Sequence, residues 1–178
     1  MIRPAHILLA ASLSVSALIV TPAGAASDAQ TLLGTSKDWS AFTSGSGSTR
    51  TCYALAKPAS TAPKKIKRDP IYFLVTDWPS RKVKSEPEVV PGYQYKDGST
   101  VTAQIGGASF ELFTDNSGGA GAAWVRHRPD ELKLLDAMKN GSTLTVTGTS
   151  KRGTKTTDTY SLAGFADVLD KIHASCGF

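Results

Sequence analysis

Short β-prone segments, broken at close intervals by Gly, Pro and Asp-Gly pairs, dominate this chain, and helical periodicity is confined to two places in its second half. A strand is expected over residues 52–55. Ile71 to Thr76 is a continuous apolar run that suits a central strand covered on both faces, and Trp78-Pro79 ends it. Tyr93 to Tyr95 and Thr100 to Ile105 lie either side of Lys96-Asp97-Gly98-Ser99, where Asp-Gly between β-prone segments predicts a hairpin. After the Gly106-Gly107 turn, Ser109 to Thr114 alternates, with Phe110 and Leu112 on one face and Glu111 and Phe113 on the other. A Gly-rich loop at 117–121 then leads to a strand at Ala122 to Val125. Leu132, Leu135 and Met138 recur at helical spacing between Pro129-Asp130 and Asn140-Gly141, which predicts a short helix over 130–140 with that stripe facing the sheets. Strands over 143–149 and 154–162 follow. A last helix opens at Leu162 to Phe165 and carries Phe165, Val168, Leu169 and Ile172 along one side. Many short strands with two short helices predict a mainly β fold of the β-sandwich kind, with a half-open barrel as the alternative.

The start of the chain sets an expected compartment. Arg3 and His6 precede an uncharged stretch from Ile7 to Val20, and Pro22 breaks it just before Ala23-Gly24-Ala25, small residues where a signal peptidase reads. Residues 1–25 are therefore expected to be a cleaved signal peptide and 26–178 a single domain. The stretch falls short of the roughly 20 residues that span a bilayer, so no transmembrane span is expected after cleavage; an uncleaved anchor is the alternative. In a periplasmic or secreted chain, two cysteines read as one disulfide, Cys52 to Cys176. Closing a loop that long is worth up to about 4–5 kcal/mol in the chain-entropy model. No Cys-x-x-Cys spacing supports a reactive thiol pair. Residues 43–49 and the Pro- and Lys-rich segment 56–68 read as exposed connections.

Charge bears on partners. The chain carries 20 Lys and Arg against 15 Asp and Glu, a formal net charge of +5, and seven of the cations, Lys64, Lys65, Lys67, Arg68, Arg81, Lys82 and Lys84, flank the strand at 71–76 on both sides. Such clusters can draw a protein to anionic lipid headgroups, lipopolysaccharide phosphates or acidic glycans. The plainer alternative is a pair of soluble loops that protect a sheet edge. No recognition-helix or aromatic-platform pattern accompanies the cations, so nucleic acid is not an expected partner.

No catalytic constellation emerges. His127 lies between Arg126 and Arg128 and reads as a surface residue; His173 falls on the polar side of the last helix, and neither has a partner visible in sequence. Two histidines and a disulfide-bound cysteine pair leave too few ligands for zinc, so neither metal nor cofactor is expected. No Gly-x-Ser-x-Gly elbow is present. Asp167 and Asp170 have ordinary solvated-face spacing.

Residues 145–176 run from a β-branched segment through the Lys151-Arg152-Gly153-Thr154 turn and Asp158-Thr159-Tyr160-Ser161-Leu162 to the helix ending in Cys176. Together with Cys52 upstream and the Ala122-Ala123-Trp124 strand, this order resembles the invasion-associated locus B family of exported bacterial proteins, over roughly residues 36–178. The resemblance implies an immunoglobulin-like β-sandwich tied by one disulfide, a place in the cell envelope and, in some members, a link to entry into host cells. It implies no enzymatic mechanism. The matching residues read as structural, and the alternative is a recognition patch of Arg152, Asp158 and Tyr160. The expected function is thus a non-enzymatic binding protein whose basic loops contact anionic envelope or host-surface molecules. An envelope-maintenance factor that contacts another envelope protein through its sheet edge is the second possibility. An undetected hydrolase dependent on His127 or Asp158 is the third.

Overall fold

The computed structural model describes residues 30–178; the expected signal peptide lies outside them. Eleven strands form one antiparallel sheet: β1 (Thr31–Ser36), β2 (Trp39–Ser44), β3 (Thr51–Ala56), β4 (Ser60–Ala62), β5 (Tyr72–Trp78), β6 (Val83–Val90), β7 (Thr100–Ile105), β8 (Ala108–Asp115), β9 (Ala122–Trp124), β10 (Thr143–Thr149) and β11 (Lys155–Ser161). Two helices accompany them, α1 (Arg128–Asn140) and α2 (Phe165–Cys176). The spatial order is β1-β2-β3-β5-β6-β9-β8-β7-β10-β11-β4.

That order forces the sheet to roll. β4 lies at the far edge from β1, yet only Lys57 to Ala59 separate it from β3. Eight strand spacings in a flat sheet would cover about 38 Å, whereas a three-residue link reaches at most about 14 Å. The β2-β3-β5 half therefore faces the β10-β11 half across one core. Phe73 meets Trp39 and Tyr160 edge-on at 6.3 and 5.8 Å, and the Trp39 indole N–H donates to the Ser161 carbonyl at 3.0 Å. The mainly β expectation, with two short helices and one disulfide, holds, and its two layers are parts of one rolled sheet.

α2 packs against β1, β2, β3 and β5. Phe165, Val168, Leu169 and Ile172 are all buried, as their spacing predicts. Gly164 starts the helix at φ +85°, where a side chain would overlap the Ser36 carbonyl oxygen. The Cys52–Cys176 disulfide ties the last turn of α2 to β3.

Three sequence-derived expectations need correction. Tyr93 to Tyr95 and β7 do not form a hairpin. Tyr95 pairs with Ser150 and Thr102 with Thr147, so both segments run in the same direction along β10 and its exit, and residues 96–99 are looped out between them. The Asn116 side chain takes the place of a strand partner there, accepting from the Tyr95 N–H at 2.8 Å and donating to its carbonyl at 3.0 Å. In α1 the buried residues are Leu134, Leu135 and Met138, while Leu132 is 52% exposed. Leu134 and Met138 flank Leu135 on one side of the helix, and Leu132 falls on the other. Finally, the exposed connection expected over 56–68 holds β4 and the buried Arg68 side chain. β1, β2 and β6 have no counterpart among the expected strands; in β6, Pro87 and four charged or polar neighbours obscure the period, although Ser85, Pro87 and Val89 alternate inward.

Candidate functional site

A cleft of about 490 Å³ opens where three segments meet: the strap Ile66 to Asp69, the segment Gly92 to Gln94, and the turn from Ser150 to Thr154 with Thr156 beside it. Backbone bonds fix their order. The Asp69 N–H donates to the Gly92 carbonyl at 3.1 Å, and the Lys151 N–H donates to the Gln94 carbonyl at 2.7 Å. Residues 92–94 thus lie between strap and turn as the floor. Gly92 sits at φ +73°, and a Cβ there would overlap the Asp69 carbonyl oxygen, so the close approach of strap and floor requires glycine.

Beneath the cleft, Arg68 and Asp158 form a buried ion pair. Their side chains are 5% and 3% exposed. One guanidinium nitrogen of Arg68 donates to Asp158 Oδ2 at 2.9 Å and to the Pro91 carbonyl at 3.2 Å; the other bonds Asp158 Oδ1. This bidentate bond holds the Arg68 proton above its ordinary affinity. Arg68 also lies over the Tyr93 ring, 5.7 Å from its centroid. The Tyr93 hydroxyl is 2.6 Å from that of Thr156, and burial raises its pKa.

The structure therefore regroups the sequence-derived candidates. Lys67 and Arg152, from separate expectations, line the same cleft, and Lys151 joins them; all three are exposed. Lys64 and Lys65 are exposed on the strap just outside the cleft lining. Arg68 is withdrawn from the surface by Asp158. The patch of Arg152, Asp158 and Tyr160 is not assembled: Asp158 and Tyr160 point into the core, where Tyr160 is fully buried and its hydroxyl has no hydrogen-bond partner. Two-residue alternation explains this, since Thr156, Asp158 and Tyr160 share the inward face of β11. Lys151 was missed as a partner of Lys67 because only the tertiary pairing of 94 with 151 brings them together.

Arg81, Lys82 and Lys84 sit at the other end of β5, Arg81 within the 3-10 turn Pro79–Arg81, Lys82 just after it and Lys84 at the start of β6. The seven residues of β5, about 23 Å at strand rise, separate them from the strap. Arg81 stacks over the Trp78 ring at 4.9 Å and reaches Glu86 at 3.4 Å.

A second buried carboxylate lies under that end. Asp77 is fully buried; its Oδ1 accepts from the Ser85 N–H at 2.8 Å, and its Oδ2 has no partner. His173 is not on a free polar face, as its helical position suggested. Its Nε2 is 2.7 Å from the Ser85 hydroxyl and 3.8 Å from Asp77 Oδ1. Burial pushes the Asp77 carboxyl up to about 6 and the His173 imidazole down to about 4. The residue types are those of a serine hydrolase, but Asp77 faces the same ring nitrogen that holds the serine, so it cannot orient the imidazole through the other one. Ser85 itself is 3% exposed, out of reach of a substrate. His127 is exposed at the start of α1, and Asp158 is committed to Arg68. Among the described residues no group of three or more His, Cys, Asp or Glu could hold a metal ion, and no helix is long and apolar enough to cross a membrane.

In structural comparison, the chain resembles invasion associated protein B from Bartonella henselae, with a TM-score of 0.58 and 15% identity over 81% of this chain and 97% of that one. At that identity the likeness establishes the fold. No curated protein sequence matches the chain. The family model for invasion associated locus B protein matches residues 39–173, a span that runs from the core tryptophan of β2 through both walls of the cleft to the histidine of α2. The chain therefore belongs to the invasion associated locus B family.

Proposed function

We propose that this protein is an exported, non-enzymatic binding protein of the cell envelope, and that the cleft between strap and turn receives an anionic group of an envelope or host-surface molecule. The observation that carries this reading is the convergence of Lys67, Lys151 and Arg152 on one concave site. Asp69 also lines the cleft, so the cleft's three exposed cations leave a net positive charge there, and a concave surface of net positive charge concentrates anionic ligands. The buried pair below contributes no net charge to the ligand; its part is to hold the strap, and with it Lys67, in place. Membership of a family described as invasion associated supports a surface role, and the leader-like residues 1–25 support export.

Retention on immobilised heparin at low salt tests the reading. Lys67→Glu, Lys151→Glu and Arg152→Glu together should abolish it, and rising salt should release the unaltered protein early. Retention that survives the triple reversal would remove the cleft as the site.

One observation favours a protein partner as a second contact. Edge strand β1 carries no charged residue or proline, and its Leu32 is 55% exposed. Cross-linking in intact cells that recovers only monomer would dispose of this contact without touching the cleft.

A further inference from the structure

We propose that the cleft takes an acidic saccharide, with a sugar ring lying on the Ile66 and Tyr93 floor and its carboxylate or sulfate groups reaching Lys67, Lys151 and Arg152 on the rim. This rests on the anionic-cleft reading and narrows it to one ligand class.

The floor is largely carbon. It consists of the half-buried Ile66, Tyr93 and Thr154 with the backbone of Gly92. A bare sulfate or phosphate held by the rim cations leaves that surface in water. A ring with C–H faces covers it and gains the burial.

Shape sets the cations apart from a membrane-binding patch. Lys67 stands on the strap and Lys151 and Arg152 on the turn, with residues 92–94 between them. A planar bilayer would meet the rim and leave the floor unfilled. Arg68 is a positioning residue here, because Asp158 and the Pro91 carbonyl occupy its two terminal nitrogens.

The test is a titration of the full recovered protein at low salt with four probes: a heparin tetrasaccharide, a polyphosphate of similar charge, polyglutamate, and phosphatidylglycerol-containing vesicles. The tetrasaccharide should bind most tightly. Ile66→Ser keeps the charges of the strap and removes carbon from the floor, and should weaken the tetrasaccharide by about three- to tenfold while leaving polyphosphate unchanged. Ile66→Gln provides a second readout should Ile66→Ser lower the melting temperature. If polyphosphate, polyglutamate or vesicles bind as tightly as the tetrasaccharide and both Ile66 variants are silent, the saccharide assignment is overturned and the anionic cleft stands. If the Lys67, Lys151 and Arg152 reversal leaves every probe bound as before, or if no probe binds, the cleft reading itself fails.

Discussion

The two ends of β5 are built from the same materials and finish differently. Each end has exposed cations in the adjoining loop and a buried aspartate nearby. At the strap end, Asp158 is matched by the buried Arg68, and the remaining cations converge with those of the 150–154 turn on a cleft. At the far end, Arg81, Lys82 and Lys84 are exposed, and Asp77 lies beneath with one oxygen unpartnered and a neutral histidine as its nearest titratable neighbour. A run of basic residues is therefore not a site in itself. What makes one is a partner segment opposite it and an internal anchor that fixes the run's geometry, and only the strap end has both.

Breaking the anchor should have the largest effect. Asp158→Ala leaves Arg68 charged and buried without its partner, which should cost about 3–5 kcal/mol in a urea unfolding experiment. Replacing both members with apolar residues, Arg68→Met with Asp158→Leu, should recover most of that stability. The double variant should still lose affinity for heparin, because the strap no longer has a bidentate anchor. Full stability combined with full binding would show that the pair positions nothing.

At the other end the same substitution logic reverses sign. Asp77→Asn removes a buried charge while its carbonyl can still accept from the Ser85 N–H. It should raise stability at pH 7.5 by about 1–2 kcal/mol, less than the roughly 3 kcal/mol of a two-unit shift, because the new amide N–H groups need acceptors. A loss of stability at that pH would mean that the Asp77 charge is balanced better than its contacts indicate.

The pH dependence sharpens the contrast further. Asp77, raised to about 6, contributes stability that is complete below its unfolded value and is lost as pH rises through 6. His173, lowered to about 4, contributes stability that is complete above its unfolded value and is lost as pH falls through 4. Across about pH 4–6 these slopes oppose each other, and the two residues together should leave stability nearly flat. His173→Gln exposes the aspartate, so stability should fall from pH 4 to 6; Asp77→Asn exposes the histidine, so stability should rise over that range. Thermal melts at four pH values distinguish these slopes, and parallel curves for the two variants would refute the cancellation.

Much of the fold was legible in the sequence, and much of the site was not. The apolar run of β5, the strands β10 and β11, the stripe of α2 and the pairing of Cys52 with Cys176 follow from period and composition because each is a local pattern or a choice without rivals. β6 was hidden because its inward face uses Ser85 and Pro87, which carry no hydrophobic signal. The Asp97-Gly98 pair was misread because a turn signal reports a local bend and not which strands it joins. The basic residues were visible as a list, but the list joined two ends of a strand and omitted Lys151, since the pairing of 94 with 151 is tertiary. Alternation along β11 places Asp158 and Tyr160 on one face in the sequence; that this face is the inner one depends on Phe73 and Arg68, far away in the chain.

The most direct test of the account compares two triple charge reversals that alter net charge equally. One carries Lys67→Glu, Lys151→Glu and Arg152→Glu at the cleft; the other carries Arg81→Glu, Lys82→Glu and Lys84→Glu at the far end of β5. Heparin affinity is measured for both across a salt series. The cleft variant should lose about tenfold or more in affinity and most of its salt dependence, and the far-end variant should stay close to the unaltered protein. Equal losses in the two would show that attraction depends on net charge alone and would contradict a cleft built for an anionic ligand.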